Sequence, residues 1–276
     1  MGRVRTIALA AIDRVKPVER PIRRWLLPDR FRRIEIETSS RCNRRCNYCP
    51  VAEIQRADRL MSEELFFDIV DQLAAMRFAG VFSPHFFGEP LLDPRLARWM
   101  AGVRARLPRV VIEIYTNGDA LTPKKAQELL AAGVDLFFVT LESGEPKALA
   151  ATRASVSRWT WHRRFLVRDF DEHVPRPYNR GGTVLFPGRE ARFDACLHPA
   201  AAVVVDAWGK VKLCANDYFG SEDWGDLHDE RLIDVWQKPA FRKLRYDLMD
   251  GRFEKQICLV CSGRSPAKSP LRVNPA

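Results

Sequence analysis

Residues 32–38, RRIEIET, alternate polar and apolar side chains and stop at a threonine, the pattern of a short strand. The period then changes repeatedly. SEELFFDIVDQLAAM (62–76) places apolar residues at helical spacing, with Ser62 as N-cap and Glu64 in the first turn. GVFSPHFF (80–87) reads as a strand, PRLARWMAGVRARL (94–107) as a helix and RVVIEIYT (109–116) as a strand. PKKAQELLAAG (123–133) reads as a helix and VDLFFVTLES (134–143) as a strand. Strands alternating with helices every 30 residues or so predict right-handed βα units on a parallel sheet. The polar loops GEP and TNGD follow strands directly, where βα barrels carry their active sites. Past residue 170 the rhythm breaks into VPRPYNRGGTVLFPG. Four or five βα strands are too few to close an eight-stranded barrel. The pattern predicts an α/β fold built on an open, partial TIM-like (βα) barrel.

From residue 196 the pattern differs. AAVVVDAWGKVKLC (201–214) predicts a β-hairpin turning at WGK, and LIDVWQKPAFRKLRYDLMDG (232–251) a helix. The expected organisation is a basic extension over 1–30, the partial barrel over 31–190, a small cysteine-rich domain of hairpin plus helix over 191–263, and a disordered Pro/Ser-rich tail over 264–276.

Composition narrows the partners. No apolar run approaches the roughly 20 residues that span a bilayer, and the N-terminal apolar piece Ile7 to Ile12 has no small-residue cleavage site after it. The net charge is +10 and the pI near 9.5, yet the arginines are scattered rather than gathered into a basic block. Neither nucleic acid nor membrane is an expected partner. Seven cysteines without an export signal point to metal or redox chemistry in a reducing compartment, the cytoplasm, rather than to a disulfide framework.

The cysteines fall into two groups. RCNRRCNYCP (41–50) carries Cys42, Cys46 and Cys49 in a C-x3-C-x2-C spacing directly after the first strand. Thiolates select zinc, Cu(I) and iron–sulfur clusters. A structural zinc takes four ligands, so three close cysteines without a fourth leave either a half-built zinc site or a four-iron cluster with one open iron. This loop, with the aromatic Tyr48 before its last cysteine, resembles that of the radical S-adenosylmethionine (SAM) superfamily. The resemblance implies a [4Fe–4S] cluster on the three cysteines and SAM on its open iron. It also assigns Gly88, Glu89 and Pro90 of FFGEPLL to the methionine amino group, and Thr116 and Asn117 of YTNGD to the ribose or methionine. A carboxylate and carbonyls are suitable acceptors for an ammonium.

Cys196, Cys214, Cys258 and Cys261 form the second group, C-x12-G-x4-C followed by C-x2-C. Four cysteines alone suit zinc as well as iron–sulfur. The arrangement resembles the twitch auxiliary-cluster domain, which implies a second, fully ligated [4Fe–4S] cluster. Together with NRGG (179–182), the order of motifs resembles radical SAM dehydrogenases that oxidise an alcohol to a ketone, and in these the arginine of NRGG lies at the substrate. Arg180 is the matching residue. The resemblance further implies a small-molecule substrate of aminocyclitol or sugar type and a one-electron reductant such as flavodoxin or ferredoxin. VTLES and RWTWHRRFLVRDFDEH (158–173) depart from that pattern and are expected at the substrate pocket. The competing expectation is modification of a ribosomal peptide by thioether formation, carbon–carbon crosslinking or epimerisation.

Overall fold

The computed structural model describes residues 30–52, 56–142, 144–170, 179–184, 193–222 and 224–265. Apart from Arg30, the expected N-terminal extension lies outside these residues, as does the expected tail beyond Ser265. The strands are β1 (Arg33–Ile36), β2 (Val81–Ser83), β3 (Val111–Thr116), β4 (Leu136–Leu141), β5 (Phe165–Asp169), β6 (Ala202–Val205) and β7 (Val211–Lys212). They form one sheet in the order β5-β4-β3-β2-β1-β6-β7, parallel throughout except for β7 against β6. The sheet ends on β5 and β7 and does not close: the fold is the open α/β barrel that the alternation predicts.

Helices follow the strands. They are α1 (Glu63–Ala75), α2 (Leu96–Arg106), α3 (Pro123–Ala131), α4 (Lys147–Ser155), α5 (Arg158–Arg164), α6 (His198–Ala201), α7 (Leu232–Gln237), α8 (Pro239–Met249) and α9 (Gln256–Cys261). Ser62 caps α1 by accepting from Leu65 N at 3.2 Å, and Thr122 caps α3 in the same way. The apolar face of α1, Leu65, Phe66, Ile69, Val70 and Leu73, is buried on the sheet, and Phe66 stacks on Trp99 of α2 at 4.3 Å. Burying each such side chain stabilises the fold by about 1.5–3 kcal/mol. No helix of the described residues is long and apolar enough to cross a membrane.

Three expectations need correction. The strand expected over 80–87 ends at Ser83, because the chain leaves the sheet at Pro84 to form the GEP loop. The helix expected over 232–251 is two helices, because Pro239 has no N–H to continue α7 and instead begins α8. Of the stretch 158–173 expected at the substrate pocket, residues 158–164 are a helix with no buried side chain, Trp159 being 66% exposed, Phe170 after β5 stacks on Tyr48 of the cysteine loop, and 171–173 lie outside the described residues. The 201–214 hairpin forms as expected, and β6 pairs with β1, so the sheet runs across the domain boundary drawn at residue 190.

Glu37, at the end of β1, ties these parts together. Its carboxylate, fully buried, accepts from Phe87 N (3.1 Å) and Gly88 N (3.2 Å) after β2, and from Ala207 N (3.2 Å) in the hairpin turn. Arg56 closes on it with both nitrogens of its fork, at 3.0 and 2.5 Å. The guanidinium in turn lies 4.8 Å from the ring centroid of Tyr218 and 5.6 Å from that of Trp208. Arg56→Leu would leave a buried carboxylate without its cation, a loss of about 3–5 kcal/mol. The expected result is a clear fall in the thermal unfolding midpoint, and a midpoint equal to wild type would contradict the role of this pair.

Candidate active site

The first cysteine loop leaves the C-terminal end of β1. A bridge between Ser39 and Leu60 and the bonds of Ser40 to Arg59 fix its base. Cys49 N donates to Cys46 O at 3.0 Å, tightening the turn before a 3-10 segment at Pro50–Ala52. Cys42 and Cys49 pack with Val51, Phe86, Phe87, Val204 and Tyr218, while Cys46 is buried. Burial, and then the neighbouring Glu142 carboxylate, push the Cys46 thiol up to about 12. Two contacts from the loop after β3 hold the cysteine loop. Arg44 forks onto Asp119 at 2.7 and 2.5 Å, and Asn43 donates to Asp119 at 2.8 Å while accepting from Asn117 at 2.9 Å.

The GEP loop packs against the same segment. A Cβ on Gly88 would lie 1.8 Å from Ser39 O, so only glycine fits, and Glu89 N donates to Arg41 O at 2.7 Å. The Glu89 carboxylate is 3% exposed. It accepts from Thr116 Oγ1 (2.7 Å), Asn117 N (2.9 Å) and Leu91 N (3.0 Å), capping the short turn that begins at buried Pro90. Burial raises its pKa and these three donors oppose the rise. An ionised carboxylate has about four lone-pair sites, so one site remains for a further donor such as an ammonium. Thr116 and Asn117 thus stand beside Glu89 as its donors. Tyr48 stacks on Phe170 at 3.7 Å, joining the cysteine loop to the end of β5.

The second group is also brought together. Cys196, Cys214, Cys258 and Cys261 line one cavity of about 80 Å³ with Phe193, Leu197, Leu213, Leu248, Phe253 and Ile257. Burial drives Cys258 up to about 12 and Cys214 well above its ordinary value. Metal coordination deprotonates such thiols outright. Two N–H groups of Asn216 point at Cys214 and Cys261 sulfur, which suits sulfurs that carry negative charge. Among the described residues no three His, Cys, Asp or Glu converge as one metal ion requires. Donor sets made of thiolates alone, three cysteines in one loop and four around one cavity, fit iron–sulfur clusters.

The barrel interior also holds a buried polar cluster that the sequence reading missed. Arg33 donates to Glu113 at 2.5 Å and to Tyr115 at 3.4 Å, and stands 3.7 Å from Glu35. The rings of His85, Tyr115 and Phe138 stack in succession, each pair 4.6 Å apart. Burial, with Arg33 and Arg180 nearby, takes His85 down to about 3, so its imidazole is neutral. Glu35 Oε2, Glu113 Oε1 and Arg33 Nη1 are buried with no hydrogen-bond partner. The available signal was Arg33, Glu35 and Glu37 recurring every second position in a parallel strand, where buried faces are normally apolar.

Arg180 faces this interior from the NRGG turn. Its φ of +50° and that of Gly181 (+67°) are left-handed, a conformation that costs an ordinary side chain energy. The turn is held by Asn179, which donates to Val260 O of α9 and accepts from Gly182 N. A Cβ on Gly181 would stand 2.6 Å from Ile257, so the turn lies directly on α9. Burial raises the thiol pKa of Cys49 in the first group and of Cys261 in the second; the Arg180 guanidinium opposes both rises and donates to Asn216 Oδ1 at 3.1 Å.

The Radical SAM superfamily model matches residues 36–189, and an iron–sulfur cluster-binding domain (SPASM) matches residues 196–262. The chain belongs to the radical SAM superfamily, with two [4Fe–4S] clusters and SAM as its cofactors. It is 31% identical to the S-adenosyl-L-methionine-dependent 2-deoxy-scyllo-inosamine dehydrogenase of Niallia circulans, over 85% of this chain and 94% of that protein. The crystal structure of BtrN in complex with AdoMet and 2-DOIA superposes with a TM-score of 0.76 at 30% identity, covering 83% of this chain and 92% of that one. Native anSMEcpe with bound AdoMet and Cp18Cys peptide superposes at 0.55 with 12% identity, over 86% of this chain and 92% of that one, a likeness of fold alone.

Two measurements check the site. Anaerobically reconstituted protein is expected to hold about eight irons, and alanine at Cys42, Cys46 and Cys49 to leave about half of them and abolish SAM cleavage. Zinc bound at the four C-terminal cysteines would contradict the assignment. Glu89→Gln replaces an ionic acceptor and sets a second donor against Thr116 or Asn117. A charge-assisted bond is worth about 1.5–3 kcal/mol, so SAM affinity measured by equilibrium binding should fall about tenfold or more. Unchanged affinity would make the GEP loop a structural turn only.

Proposed function

We propose that the protein oxidises a secondary alcohol to a ketone on an aminocyclitol, sugar or similar polyol. Cys42, Cys46 and Cys49 hold the first cluster, and Cys196, Cys214, Cys258 and Cys261 the second. Tyr48, Gly88, Glu89, Pro90, Thr116 and Asn117 line the SAM site. When bound, these groups supply a 5′-deoxyadenosyl radical that takes one hydrogen atom from the carbinol carbon, and a one-electron acceptor. The substrate radical would become a ketone by passing one electron to the second cluster and its hydroxyl proton to a buried carboxylate, Glu35 or Glu113, whose oxygens include unpartnered ones.

The observation that carries the reading is the place of Arg180, which donates to Asn216 beside Cys261 at 3.1 Å and stands 5.8 Å from the ring centroid of Phe87, packed with Cys42 and Cys49. A guanidinium stays protonated and donates in a planar fork. Arg180 therefore stabilises the oxygen as its proton leaves, and does not itself accept that proton. The unpartnered buried oxygens of Glu35 and Glu113 supply acceptors for hydroxyl or ammonium groups of the substrate. The reductant is a flavodoxin or ferredoxin, and the compartment is the cytoplasm, where the thiols stay reduced. Peptide modification has no comparable support, since the likeness to a peptide-bound structure is one of fold alone.

The test is anaerobic turnover on a panel of aminocyclitols, with 5′-deoxyadenosine and ketone quantified together. Wild type is expected to form them in equal amounts. Removing a positioned donor to developing charge costs about 10²–10³ in kcat, so Arg180→Ala should lose ketone at least as severely as 5′-deoxyadenosine. Arg180→Lys keeps the charge without the fork and should also be impaired. Normal turnover by Arg180→Ala would overturn the reading.

A further inference from the structure

Asn216 is 8% exposed and stands between Arg180 and the second cysteine group. Its amide oxygen accepts from Arg180 Nη1 at 3.1 Å, its amide nitrogen reaches Cys261 Sγ at 3.8 Å, and its backbone N–H donates to Cys214 Sγ at 3.4 Å. Chemistry fixes this orientation. A flipped amide would set its NH2 against a guanidinium, which has no acceptor, and its oxygen against a thiolate, which has no donor. The adjoining turn is rigid: Asp217, fully buried, accepts from Leu213 N at 3.3 Å and Ser221 N at 2.7 Å, and donates its own N–H to Cys214 O. Among the described residues, Asn216 is the residue whose hydrogen bonds join the substrate-side arginine to sulfur of the second group.

We propose that Asn216 is a positioning residue that raises the reduction potential of the second cluster and anchors Arg180 against it. The inference rests on the dehydrogenase reading for its purpose but not for its test. Hydrogen bonds to cluster sulfurs are among the determinants of cluster potential. A donor aimed at sulfur favours the reduced state, which carries more negative charge, and a donor to an ionised partner is a strong one. An acceptor raised in this way takes the electron of the substrate radical more readily. Through its other end the same amide keeps the Arg180 fork in place, so the group that stabilises the substrate oxygen and the group that tunes the acceptor share one side chain.

The test uses the chain with alanine at Cys42, Cys46 and Cys49, which carries the second cluster alone. Its midpoint potential is followed by electron paramagnetic resonance during reductive titration, with neither SAM nor substrate present. Failure of the alcohol reading would therefore leave the result untouched. Asn216→Asp keeps the size and the acceptor for Arg180 but removes the side-chain donor and adds negative charge, so the midpoint is expected to move to a more negative value. Asn216→Leu removes the donor without adding charge and is expected to move it in the same direction by less. A midpoint equal to the parent's in both variants overturns the proposal. If the variants load cluster poorly, the parent protein labelled with asparagine carrying 15N at the side-chain amide only still decides. A 15N hyperfine coupling at the reduced cluster is expected, and its absence overturns the proposal equally.

Discussion

One buried ion pair sets the geometry on which the rest depends. Glu37 receives the Arg56 fork together with backbone N–H groups from the GEP loop and from the C-terminal hairpin turn. Three chain segments far apart in sequence therefore meet on one carboxylate at the end of β1, the strand that also launches the first cysteine loop. Losing either charge would leave the other buried and uncompensated. Gly88, pressed on Ser39 O, and Glu89, bonded to Thr116 and Asn117, extend this arrangement along the mouth of the sheet. These contacts join the SAM-side loops to one another.

The same sheet carries the second cysteine group. β6 pairs with β1 in parallel, so the hairpin leading to Cys214 is an extension of the barrel and not a hanging appendage. The NRGG turn then bridges from the other side, lying on α9 with its CxxC pair while Arg180 faces the interior. The buried polar cluster of Glu35, Glu113 and Arg33 belongs to the same barrel interior. Charged groups are held there at a desolvation cost that a folding unit alone has no reason to bear, and paired or cluster-facing chemistry accounts for their retention.

Much of this was legible in the chain. Cysteine spacing was readable because cluster ligation requires one residue type at fixed intervals, and α1 because cap and period coincide at Ser62. β5 was missed because Phe165 follows Arg164 of α5 with no glycine or proline between them to mark the change. Glu37 with Arg56, and Arg180 with Asn216, were out of reach for a different reason. Each pair is joined across loops, by side chains whose meeting no periodicity encodes. The buried polar cluster was passed over because alternate charged positions read as a solvent face unless the strand is already known to lie inside a parallel sheet.

The central claim is that the two cysteine groups serve a single event at one carbinol carbon between them. It is tested most directly with a substrate deuterated at that carbon, by following the label in a single turnover by mass spectrometry. The account predicts one deuterium in each 5′-deoxyadenosine formed, matched by one ketone. Ketone formed alongside unlabelled 5′-deoxyadenosine would contradict it.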